Sequence, residues 1–156
     1  MISRKRILYS KEYNEIHNDE NMCTICEIEF DDVFEESTVY NKLPVKKHGK
    51  CKIAIFENEG LLPHFHIFNK DNTFSCCIRL DKPEYFVHGE HKGTLNNNDI
   101  KKLIKVLNQL MPRYDLTRFE FMCMTWDSTN KKKIGNLLNR NSHYVMPDYS
   151  KLNDNK

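Results

Sequence analysis

Between Asp99 and Met111 the sequence DIKKLIKVLNQLM sets Ile100, Leu103, Ile104, Leu107, Leu110 and Met111 at helical spacing. That spacing gathers them on one stripe of an α-helix and turns Lys101, Lys102 and Lys105 to the opposite side. Asn97 or Asn98 can cap its start, Asp99 suits the positive end of the helix dipole, and Pro112 stops it. An isolated helix of this length is marginal in water, so the apolar stripe demands a second layer to lie on.

The preceding residues supply that layer. From Cys51 the chain alternates β-rich runs with turn residues: KIAIF, then ENEG, then LPHFHIF entered through Pro63. Asn69 to Asn72 make another turn, Phe74 to Leu80 a third strand, and Tyr85 to Val87 a short fourth. After Pro112, Leu116, Phe119, Met122, Cys123 and Trp126 again have helical spacing, although Phe119, Phe121 and Cys123 also suit a strand; a second helix is preferred. Ile25, Ile28, Phe30, Val33 and Phe34 fit neither period. The expected fold class is therefore α+β: a small antiparallel sheet from residues 51 to 88 packed on helices 99–111 and 115–128, with an acidic N-terminal extension. Its 156 residues suit a single domain, with an acidic then basic region over 1–50, a sheet and helix core over 51–128 and a polar, extended tail over 129–156. Leu103, Ile104, Leu107 and Trp126 are predicted to be buried.

Composition narrows the function classes. The apolar run from Phe119 to Trp126 falls far short of the roughly 20 residues that cross a bilayer, so no membrane association is expected. MISRKRILYS lacks the apolar segment of a secretion signal, and six cysteines in such a chain read as reduced thiols, which points to the cytoplasm. The net charge of +2 is uninformative, but its distribution is not: residues 11 to 40 hold ten carboxylates and one lysine, and five lysines follow between Lys42 and Lys52. Phe30, Asp31, Asp32, Phe34, Glu35 and Glu36 mix negative charge with aromatic rings, a surface suited to a basic groove on a protein partner or on a nucleic-acid enzyme. Lys131 to Lys133 with Arg140 could touch nucleic acid directly, although without interleaved aromatics such a run is more often a solvated turn or helix end.

His64 and His66 stand two apart, so on a strand both rings project from one face, as two ligands of one metal would. A divalent ion such as zinc is the one cofactor these residues suggest. His88 and His91 in HGEH are candidates to complete a site, giving His64, His66 and His91 as the metal set; of Cys76 and Cys77, which face opposite ways on a regular strand, only one can join. A metal-free ribonuclease-like site would instead use His64, His66 and His88 as acid and base, with Arg79 steadying a phosphate. Cys23 and Cys26 form CTIC, but a zinc ribbon needs a second such pair, and none is present. There is no Gly-rich phosphate loop and no serine nucleophile elbow.

Pro63, His64, Phe65 and His66, followed by a turn, a strand, a loop and an amphipathic helix, resemble the domain of unknown function 4160 family of small bacterial proteins. The resemblance covers Lys52 to about Asn108 and leaves out the acidic segment. CIRLDKPEYFVHGEH, TWDSTN and MPDYSKL are similar to proteins of gut bacteria and their mobile elements. It implies a small binding module of a mobile element, phage or toxin-antitoxin-like pair, acting by contact with a protein or nucleic acid. The alternative is a histidine- or metal-dependent nuclease-like enzyme.

Overall fold

The structure is a computed structural model and describes residues 22–30, 48–57, 62–87, 91–134 and 144–154. Strands β1 (Met22–Phe30), β2 (Gly49–Phe56), β3 (His64–Asn69) and β4 (Ser75–Arg79) form an antiparallel sheet in the order β1-β2-β3-β4. Alternation along β2 to β4 sends Ile53, Ile55, Phe65, Ile67, Cys76 and Ile78 to one face, where all are buried. β1 escapes the period-two pattern because its register shifts between Thr24 and Cys26. Ile25 is the extra residue of that bulge and is fully buried, so Met22, Cys23, Thr24 and Ile25 are buried in succession.

Helix α1 (Asn97–Leu107) lays Ile100, Leu103 and Leu107 into the core, while Ile104 is only half-buried. The cap is Asn96, one residue earlier than the sequence suggested: its side chain accepts from the Asp99 amide at 2.7 Å and Asp99 accepts from the Asn96 amide at 3.3 Å. The helix stops four residues before Met111. Proline disfavours helical backbone in the residue before it, and Leu110–Met111 instead forms strand β5, paired with β6 (Leu116–Thr117). Leu110, expected on the apolar stripe, is consequently 58% exposed.

Helix α2 (Arg118–Ile134) opens with Thr117 and Glu120 exchanging backbone bonds, Thr117 N–H to the Glu120 carboxylate at 2.9 Å and Glu120 N–H to the Thr117 hydroxyl at 3.1 Å. From Phe121 to Asp127 every residue is buried. A helix enclosed all round has no polar face to mark its period, which is why the sequence also allowed a strand here. Among the described residues, no helix is long and apolar enough to cross a membrane.

The C-terminal residues do not behave as a polar tail. Tyr149–Asp154 forms a 3-10 turn that buries Tyr149 and Leu152. The Tyr149 ring meets the edges of Phe65 and Phe119, and its hydroxyl donates to the Arg79 carbonyl at 2.7 Å.

Burial also shapes the response to pH. Desolvation pushes the Cys26 thiol up to about 11 against the partial opposition of Arg118, and pushes Tyr85 up to about 12. Cys76, Cys123 and Tyr149 are raised for the same reason. The unfolded chain ionises these groups near 9.0 and 10.0, so the fold holds them neutral where the unfolded chain does not. Their contribution is complete below about pH 9 and is lost as pH climbs toward 11 to 12. The urea midpoint should fall clearly between pH 7 and pH 10.5; an equal midpoint would contradict the burial of these groups.

Candidate metal centre

The face of the sheet opposite the isoleucines carries a row that crosses all four strands: Thr24 opposite Ala54, Ala54 opposite His66, and His66 opposite Cys77. His64 stands on the same face of β3, two residues from His66, opposite Arg79. The β3–β4 turn fixes this register. Asn69 accepts from the Phe74 amide through its side chain at 3.0 Å and donates to Thr73 at 2.9 Å, and Asn72 takes the left-handed conformation at φ 58°.

His64, His66 and Cys77 each present one donor atom, and the three atoms lie within 4.8 Å of one another. The Cys77 sulfur is 3.3 Å from His66 Nδ1, and the two imidazole centroids are 5.1 Å apart. Ligand atoms of a tetrahedral zinc lie roughly 3.3–3.5 Å apart given its usual bond lengths, so small side-chain rotations would close the set around one ion. His64 Nδ1 is 2.6 Å from the Leu62 carbonyl. A carbonyl has no proton to give, so Nδ1 donates, and in the neutral ring Nε2 carries the lone pair that a metal needs. Such a bond orients and tunes metal-binding histidines generally.

The surroundings are apolar and aromatic. His64 is buried against Phe86 at 4.8 Å and Trp126 at 5.2 Å between ring centroids, and Phe56 lies 4.6 Å from His66. Cys77 is buried and His66 half-buried, so the trio opens toward His66. Among the described residues, Thr24 Oγ1 and Trp126 Nε1 are buried with no hydrogen-bond partner.

The other candidates fall elsewhere. His91, placed by sequence in the metal set, is not gathered with His64 and His66; it lies edge-on to Tyr85 at 5.7 Å, and Cys77 stands third instead. Cys76 faces the core with no exposure. Arg79 is held by Asp81 through two bonds of 2.9 Å and by Glu84 at 3.4 Å, so its guanidinium is already engaged by carboxylates. Phe30, proposed as an anchor for a partner, has no exposure and sits in the core beside His48. His88, Asp31, Asp32, Phe34, Glu35, Glu36 and Arg140, with the acidic extension, lie outside the described residues, as do the side chains of Lys131 to Lys133.

Sequence left Cys77 as one of two alternative cysteines that could join the histidines, and a signal for choosing it existed. In an antiparallel pair the partners' numbers have a constant sum, so an even-numbered histidine on β3 faces an odd-numbered residue on β4 if the turn around Asn72 sets that parity.

Comparison with protein-family models, with curated proteins and with solved structures found no match to this chain. The likeness to the domain of unknown function 4160 family therefore rests only on the sequence from Lys52 to about Asn108 with its Pro63 to His66 signature.

Proposed function

We propose that this protein is a zinc-binding protein in which His64, His66 and Cys77 hold one ion on the sheet face opposite the isoleucines. The observation that carries this reading is the convergence of two imidazoles and a thiol, their donor atoms within 4.8 Å, from two paired strands. Nitrogen and sulfur donors together favour zinc over the hard cations magnesium and calcium, which select oxygen. The Leu62 carbonyl orients His64, and the Phe56, Phe86 and Trp126 rings lower the local polarity, which strengthens the attraction between a cation and a thiolate. Three protein ligands leave a tetrahedral ion one position for water, and an ion so held lowers the pKa of that water toward neutrality.

The experiment is a titration of chelator-treated protein with zinc against a chromophoric competitor, with metal content read by mass spectrometry. One zinc per chain is expected. Cobalt in place of zinc should give a thiolate-to-metal charge-transfer band that disappears in Cys77→Ser and persists in Cys76→Ser. At a free zinc concentration 100 times Kd the ion should add about 2.7 kcal/mol to stability. Absence of stoichiometric binding, or a band that survives Cys77→Ser and disappears in Cys76→Ser, refutes the assignment.

A further inference from the structure

The same sheet face carries a second feature, two residues further along β3. Lys50, Lys52, Phe68, Lys70, Glu27 and Asn69 surround a cavity of about 260 Å³, with Cys51 at its base. Strand geometry accounts for the grouping. Lys52 is opposite Phe68 across β2 and β3, and Glu27 is opposite Lys52 across β1 and β2, so all three project from the face that carries His66. Lys50 is exposed, Lys52 and Phe68 are half-buried, and Lys70 is exposed at the turn after β3.

Two properties set this groove apart from an ordinary solvated face. Among the described residues none of Lys50, Lys52 and Lys70 forms an ion pair; Glu27 is the one acidic residue in the lining, and Glu29, opposite Lys50 across β1 and β2, stands at its edge, so the three ammonium groups still outnumber the carboxylates. In addition, its aromatic wall is Phe68, which alternates with the core-facing Phe65 and Ile67 and is half-buried. Unpaired ammonium groups around a half-exposed ring match a ligand that joins negative charge to a flat π-face.

We infer that this groove binds single-stranded nucleic acid, one base stacking on Phe68 while Lys50, Lys52 and Lys70 contact the flanking phosphates. Cations along a groove with an aromatic stacking platform are the common means of holding single strands without sequence preference. The cavity lies just below the usual 300–1,000 Å³ of small-molecule pockets, a size on the scale of a single nucleotide unit. Glu27 opposite Lys52 and Glu29 opposite Lys50 disfavour a phosphate on the β1 side, which places the phosphates on the β3 side of these lysines, toward Lys70. The inference stands on the groove residues alone and does not require a metal at His64, His66 and Cys77.

The test uses the full chain in chelator, so that the outcome is independent of zinc. Fluorescence anisotropy with a labelled ten-nucleotide oligothymidylate should show binding that weakens with salt, with a slope of log K against log salt of about −2 for three phosphates neutralised on a single strand. Lys50→Gln with Lys52→Gln and Lys70→Gln should abolish the slope. Phe68→Ala should weaken binding roughly 5- to 150-fold while leaving the slope unchanged, and Phe68→Trp should retain it. Each variant is checked for an unaltered circular dichroism spectrum; should Phe68→Ala lose structure, the Phe68→Leu variant, which keeps bulk but not the π-face, provides the same comparison. Inorganic polyphosphate, which lacks bases, should compete poorly at equal charge. No binding at low salt, equal affinity in the folded Phe68→Leu and wild-type proteins, or full competition by polyphosphate overturns the inference, the last two by showing a polyanion site without base recognition.

Discussion

Truncating Trp126 to Ala should destabilise the protein by about 3–5 kcal/mol, the usual cost of removing a large aromatic side chain from a packed core. Trp126 is fully buried and belongs to the central cluster formed by the sheet, α1 and α2. Buried neighbours on the same helix, Phe119, Met122 and Cys123, leave little freedom for collapse into the vacated volume. Set against a total of roughly 5–15 kcal/mol for a domain, a loss of this size leaves much of the population unfolded at modest urea concentrations. Trp126→Phe should behave differently. It keeps most of the ring and removes Nε1, a buried donor without a partner among the described residues, so its cost should stay below about 2 kcal/mol. Because the Trp126 ring stands 5.2 Å from His64, the Ala variant should also bind zinc more weakly than the Phe variant. The measurement is the urea midpoint of both variants, with zinc titration of whichever remains folded. A wild-type midpoint for Trp126→Ala would place this residue outside the core.

What the sequence made legible follows from which elements have two different faces. Helix α1 has one apolar and one charged side, so Leu103 and Leu107 could be assigned to the core from spacing alone. Strands β2 to β4 have a core face and a second face of different chemistry, and their β-rich runs between turns were readable. β1 was not, because the bulge at Ile25 destroys its alternation; nor was the end of α1, where Pro112 acts through the residue before it to start β5. The candidate site was half legible. Strand parity puts His64 and His66 on one face without any knowledge of partners, but choosing Cys77 over Cys76 or His91 needs the register across the β3–β4 turn. The basic groove was harder still. Its lysines come from one strand and a turn, and only the β2–β3 pairing brings Lys50, Lys52 and Lys70 around Phe68.

Tyr149 shows how far a segment of polar composition can belong to the core, and its replacement carries the second large expected effect. Tyr149→Ala should cost about 3–5 kcal/mol, since the side chain is fully buried and packs edge-on against Phe65 and Phe119. Tyr149→Phe retains the ring and deletes only the 2.7 Å bond to the Arg79 carbonyl, so about 1–2 kcal/mol is expected, more than the mean for a hydrogen bond if that carbonyl is left unsatisfied. The difference between the two variants separates packing from hydrogen bonding at one position. The Arg79 carbonyl belongs to β4, two residues beyond Cys77, and Arg79 itself faces His64 across the strand pair. Loss of the anchor should thus loosen the end of β4 and raise the zinc Kd in Tyr149→Phe, while the Cys77-dependent cobalt band survives because all three ligands remain. Amide exchange supplies the local readout: protection along β4 should fall in Tyr149→Phe and along β1, at the far edge of the sheet, it should not. Equal stability of Tyr149→Ala and the wild type would mean that residues 149 to 154 are dispensable to the domain, and that the sheet end carrying the metal centre is held by the strands alone.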